Sequence, residues 1–191
     1  MLFKKTRATR AFMLAVSDPF TGPSFPAADA EQLIAQGAQV TGILPPDGAS
    51  LLSEVAVMGN IPVAEVLLRH GADPNGNALR RHLPLNAAVQ NAYGSLVELL
   101  VANGADINLQ DALGTSPLHT AVTGDTARRS GMPELVMRLG ADPSLRNSRG
   151  LTALEDFEYM ASRMIGGPYA SPEDDEKLIH DRQRLRRLLV Q

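Results

Sequence analysis

Histidine, cysteine and paired carboxylates supply most acid–base, nucleophilic and metal chemistry, and this chain offers few of them in useful patterns. Its four histidines stand at positions 70, 82, 119 and 180. No interval between them matches a metal-ligand spacing. Cysteine is absent, which removes thiol nucleophiles, thiolate metal sites and disulfides together. There is no Gly-rich phosphate loop with Lys, no His-Glu-x-x-His pair and no Gly-x-Ser-x-Gly elbow. The expectation is therefore no catalytic residue, no metal and no cofactor. An enzyme would have to draw on two irregular segments, Ser17 to Ala27 and Ala161 to Ala170. These carry Asp18, Ser24, Ser162, Arg163 and Tyr169, with no His and a single carboxylate. A paired acid and base is hard to build from that set without help from elsewhere.

Charge excludes a second group of functions. The 191 residues include 18 basic and 21 acidic side chains, for a formal charge of −3, too balanced to pull the whole chain toward nucleic acid or an anionic membrane. Arg182, Arg184, Arg186 and Arg187 form a basic cluster. The acidic run at 173–176 lies a helical turn or two away and opposes phosphate. Five Phe, three Tyr and no Trp leave few platforms on which bases could stack. Nucleic acid is not an expected partner. Lys4, Lys5, Arg7 and Arg10 precede an apolar run from Ala11 to Val16 that is shorter than the roughly 7 to 15 residues of a signal-peptide core. No stretch nears the roughly 20 apolar residues that cross a bilayer. The expected compartment is the cytoplasm, with no membrane partner.

The elements that must position any functional residue are repeats. Gly71-Ala72-Asp73 recurs as Gly104-Ala105-Asp106, and Asn75 as Asn108, at a spacing of 33. Ser50-Leu51-Leu52, Leu83-Pro84-Leu85 and Ser116-Pro117-Leu118 keep that period, as do Val55, Ala88 and Ala121. Gly140-Ala141-Asp142 follows at 36, because the segment near Thr126 to Met132 holds three extra residues. A weaker copy runs from Gly37 to Gly42. Between these markers the apolar residues fall at helical spacing, Leu52, Val55 and Ala56 and then Val63, Val66 and Leu67, so each copy contains two short helices. Gly71, Gly104 and Gly140 stand where a helix can end in the left-handed conformation. Pro84 and Pro117 stand where a first turn has no use for the missing donor. Leu14, Ala15 and Val16 are the expected core of the first helix, and a second should run from about Ala28 to Gln36. Ser171 should cap a last helix whose stripe of Leu178, Leu185 and Leu189 closes the stack. His70, beside Arg69, reads as a cation at the negative end of its helix.

This pattern resembles the ankyrin repeat family, most fully at Gly114-Thr115-Ser116-Pro117-Leu118-His119-Thr120-Ala121. The resemblance implies an all-α fold, an ankyrin repeat solenoid of about five helix-turn-helix units with degenerate caps, in a single domain. The units are 1–42, 43–76, 77–109, 110–145 and 146–191. The family's His position holds Ser53, Asn86, His119 and Glu155, so the hydrogen-bond network built there can be complete only at His119. Irregular segments in the first and last units fit their place as caps.

The resemblance also implies a function. Ankyrin repeats hold a partner protein on the concave face made by finger tips and first helices. Carried over by position, the contact residues are Asp47 and Met58 in the second unit and Leu79, Arg80, Arg81, His82, Gln90 and Asn91 in the third. Leu113, Thr115 and Thr123 follow in the fourth, with Arg149 and Tyr159 in the fifth. The expected molecule is a non-enzymatic, monomeric binding module. Its Ala-, Leu- and Arg-rich character points to a bacterial setting, where the partner would be a toxin neutralised by an immunity protein or a host protein met by an effector. A scaffold subunit that self-associates through the Arg-rich last helix is the further alternative.

Overall fold

Short helices with well-defined ends make up the structure, a computed structural model that describes residues 2–41, 49–76, 83–165 and 171–190. Asp47, Leu79, Arg80, Arg81 and His82 lie outside the described residues, as do Gly166, Gly167 and Pro168. The chain divides into two compact units, Met1–Asp106 and Ile107–Gln191.

The first unit contains α1 (Leu2–Val16), a 3-10 turn (Gly22–Ser24), α2 (Ala27–Ala35), α3 (Leu51–Met58), α4 (Ile61–Arg69), α5 (Pro84–Gln90) and α6 (Gly94–Ala102). Helix α1 pairs with α2, α3 with α4 and α5 with α6, and α3 packs against both α1 and α5. Val55 and Ala88 are fully buried at the positions the period assigns them. Side-chain caps start the helices: the Ser53 N–H donates to Ser50 Oγ at 3.0 Å, and the Val63 N–H donates to Asn60 Oδ1 at 3.2 Å. Gly71 and Gly104 end their helices at φ 84 and 92 with open space where a Cβ would stand, so backbone conformation rather than crowding requires glycine there.

Two expectations for this unit are corrected. Leu14 is 66% exposed, and the buried stripe of α1 is Ala8, Phe12 and Val16. Those three recur at four-residue steps, and at 100° per residue Leu14 falls on the opposite side. His70 and Arg69 are not simply dipole cations, because both reach Glu31 of α2, at 2.7 and 3.0 Å.

The second unit contains α7 (Pro117–Thr123), α8 (Asp125–Arg129), α9 (Met132–Arg138), α10 (Ala153–Met164) and α11 (Pro172–Leu189). Here α7 packs on α10, and α10 on α11. The three extra residues of this repeat go into α8, and α8 delivers Arg128 into the interior at 4% exposure. Its Nε donates to Asp181 Oδ2 of α11 at 2.7 Å and its Nη2 to Asp125 Oδ1 at 2.7 Å. The guanidinium lies 5.2 Å from the centre of the Phe157 ring. Arg184 Nη2 returns a bond from α11 to the Arg128 carbonyl at 2.5 Å. The last helix is therefore pinned by polar contacts as well as by the expected leucines 178, 185 and 189, all buried. Its start is as expected, with Ser171 Oγ accepting the Asp174 N–H at 3.1 Å.

The segment from Ala161 to Ala170 is not an interruption throughout. Helix α10 continues to Met164, with Ala161 buried on its core side. Nor is the arginine cluster simply a solvated face: Arg186 and Arg182 both reach Glu158 of α10, while Arg184 reaches Glu134 of α9.

Asparagines tie consecutive repeats together. Asn75 Oδ1 accepts the Asp106 N–H at 2.8 Å, and its Nδ2 donates to the Gly104 carbonyl at 3.4 Å. One period on, Asn108 does the same to Asp142 and Gly140, at 2.8 and 3.2 Å.

Two outcomes follow for stability. Removing one partner of a buried ion pair strands the other, so Arg128→Ala should cost about 3–5 kcal/mol in urea unfolding; a loss below about 1 kcal/mol would contradict the role given to Arg128. Glu158 is held below its ordinary 4.5 chiefly by the Arg186 hydrogen bond, helped by the Arg186 and Arg182 charges. A depressed carboxyl stabilises the fold above its unfolded value and loses that contribution as pH falls through the folded one. The stability gap between wild type and Glu158→Gln, about 1 kcal/mol or less at neutral pH, should therefore close as pH drops below 4.5.

Candidate functional site

The finger tips of the second unit are built by short side chains folding back on their own backbone. Asp111 Oδ1 accepts the N–H groups of Leu113 and Thr115 at 2.8 and 2.9 Å, and the Gly114 N–H closes onto the Asp111 carbonyl at 2.9 Å. The turn leaves Leu113 no room inside, and it is 66% exposed. Asn147 repeats the device, accepting from Arg149 and Leu151 at 2.9 and 3.2 Å. Leu113 and Arg149 thus hold equivalent positions in successive tips. The tips are also joined, since the Ser148 N–H donates to the Leu113 carbonyl at 2.9 Å. At Gly114 two requirements coincide: φ is 71, and a Cβ would stand 2.8 Å from the Ser148 nitrogen.

Behind the second tip lies a carboxylate that sequence reasoning missed. Asp156 is 5% exposed, accepts from Asn147 Nδ2 at 2.8 Å and is paired with Arg149. The Arg149 guanidinium lies 5.6 Å from the centre of the Tyr159 ring. Arg163 stands 5.4 Å from the same centre and donates from Nη1 to the Tyr159 hydroxyl at 2.6 Å. Tyr159, 46% exposed, is therefore held between two cations at a fixed place on the surface. Arg149, expected as a contact, spends its charge on Asp156, whereas Arg163 pairs with no carboxylate among the described residues. Arg146 bonds Glu155 at 2.8 Å. The Thr152 N–H, with help from that charge, holds the Glu155 carboxyl below its usual range.

The remaining expected contacts are less available. Thr123 donates its hydroxyl to the His119 carbonyl at 2.7 Å, and Thr115 is half-buried in the Asp111 turn. Met58 is half-buried, and its Cγ lies 3.2 Å from where a Cβ on Gly22 would stand, so the 17–27 segment covers part of it. Gln90 and Asn91 are exposed at the end of α5, and Asn91 Nδ2 donates to the Ala87 carbonyl at 3.0 Å.

His119 is fully buried. Its Nε2 lies 3.0 Å from the Leu151 carbonyl, which can only accept, so Nε2 carries the proton and Nδ1 takes the Ser116 hydroxyl at 2.8 Å. Every polar atom of the ring is engaged in structure, as expected of this position. Its equivalents do related work: Ser53 pairs with Ser50, and Glu155 completes a capping box with Thr152. Among the described residues no group of three or more His, Cys, Asp or Glu could hold a metal ion.

Comparisons with known proteins agree with this architecture. Residues 67–121 match the family described as ankyrin repeats in many copies, and residues 47–77 match the single ankyrin repeat. The E3 ubiquitin-protein ligase KEG of Arabidopsis thaliana is 28% identical over 136 residues, 70% of this chain and 8% of the relative. An ankyrin repeat-containing protein of Schizosaccharomyces pombe is 28% identical over 126 residues, 61% of this chain and 58% of the relative. One from Treponema pallidum is 41% identical over 87 residues, 46% of this chain and 29% of the relative. The chain therefore spans less than two thirds of the length of each. Helix pairs at a fixed period, the Gly114 to Ala121 motif with its buried histidine, and both family matches show that this chain carries ankyrin repeats.

Proposed function

We propose that this chain binds another protein, and that its second unit does so through the finger tips and the exposed side of α10. Ankyrin repeats serve generally as a non-enzymatic interaction fold. What supports this placement is the continuous path from Leu113 through Ser148 and Arg149 to Tyr159 and Arg163, linked by hydrogen bonds and ring contacts. Leucine, tyrosine and arginine fixed in this way lose little entropy on binding, and tyrosine and arginine are enriched where binding energy concentrates. Arg163 supplies the cation for an acidic group on the partner, and Leu113 the apolar anchor. In the first unit the sequence offers Asp47, Leu79, Arg80, Arg81 and His82, with exposed Gln90 and Asn91, as further contacts.

The role we infer is to cover a partner's working surface, as an immunity protein covers a toxin; a host protein as the partner would use the same face. Leu113→Ser and Tyr159→Ala should each weaken capture of the natural partner about tenfold or more while leaving the melting curve unchanged. Capture that survives both substitutions would overturn this placement of the binding face.

A further inference from the structure

We infer that α1 and the turn after it form a contact site for an anionic lipid surface. The face of α1 opposite Ala8, Phe12 and Val16 carries Arg7, Arg10 and Leu14, all exposed. At 100° per residue these three fall within about 60° of one another, along about 10 Å of helix. Leu14 stands in the last turn, and the chain then enters a bend that is fixed from several sides. Asp18 Oδ1 accepts the Phe20 and Thr21 N–H groups at 2.8 and 3.0 Å, and the Gly22 N–H donates to the Asp18 carbonyl at 2.7 Å. Buried Asn60 donates from Nδ2 to the carbonyls of Gly22 and Phe25, each at 2.9 Å. Ser17 Oγ donates to Glu54 at 3.1 Å. A Cβ on Gly22 would stand 2.2 Å from the Val16 carbonyl oxygen.

This locked bend holds out Phe20 at 90% exposure. Neither the bend nor the core needs a phenyl ring there, because the bend is closed by backbone groups and Asp18. Of the charges described there, Arg7 and Arg10 stand exposed, while the carboxylates of Asp18 and Glu54 are each taken up by hydrogen bonds from the bend. A ring on a protruding bend, following a helix whose exposed face is basic and partly apolar, fits a soft negative surface. Cations meet the headgroups and the ring enters the acyl boundary, with no matching cavity required. The contact is peripheral, as no helix among the described residues is long and apolar enough to cross a membrane.

The chain lacks Trp, so Phe20→Trp reports its own surroundings. Its emission should shift to the blue with vesicles of equal phosphatidylcholine and phosphatidylglycerol, and not with phosphatidylcholine alone. In co-sedimentation with the mixed vesicles, Phe20→Ser should lower the wild-type partition constant about tenfold. Arg7→Glu with Arg10→Glu should do the same through charge, and Leu14→Ser, also on the surface, provides a second apolar test. No binding, equal binding to neutral vesicles, or binding indifferent to Phe20→Ser would each overturn the proposal. So would capture by immobilised polyglutamate that depends on Phe20 without any vesicle binding, which would make the partner an acidic protein.

Discussion

No helix pair here is self-sufficient, and the asparagine bridge between repeats shows why. Helices of seven to nine residues are too short to persist alone in water. Their polar turns would lack partners as readily as their apolar faces. Asn75 and Asn108 answer the polar half by reaching into the Gly-Ala-Asp turn of the repeat that follows, satisfying one N–H and one carbonyl each time. His119 applies the same logic a few residues on, bonding the Leu151 carbonyl from inside the preceding repeat. The apolar half is answered by α3 against α5 in one unit and by α7 against α10 in the other. Stability of this kind belongs to neighbours, which is the property that defines repeat architectures.

The last helix described, α11, is held by different chemistry. The α11 helix covers its seam with three leucines, as a cap should, but a buried Arg128–Asp181 pair also fixes it. The short helix α8 exists to make that pair, which gives the extra residues of this repeat a structural purpose. The arginines that follow form pairs with Glu158 and Glu134. A cluster that looks in the sequence like a basic patch is in large part internal bracing.

How much of this the sequence disclosed depended on how local each cause was. Period arithmetic aligned Val55, Ala88 and Ala121, and all three are fully buried because burial repeats whenever the fold repeats. Gly71 and Ser171 were legible because a left-handed helix end and an N-cap are set within a few residues. Arg128 was not, since its partner lies 53 positions away. Asp156 was hidden in the same way: the acidic run of α10 shows three carboxylates, and only the finger bonds of Asn147 and Arg149 select which one is buried. Leu14 was misplaced because an apolar run at the helix end looked like core while the true stripe began at Ala8. In the finger tips, Leu113 was placed by family position, but the reason it stays exposed is the Asp111 turn.

The claim beneath the whole account is that each repeat is held in part by the one before it. Peptide-resolved hydrogen exchange on Asn108→Ala tests it without relying on function. The account predicts faster exchange at the Gly140 to Ser144 turn, more than thirty residues from the substitution, comparable to that around position 108. Loss of protection confined to the neighbourhood of residue 108 would contradict it.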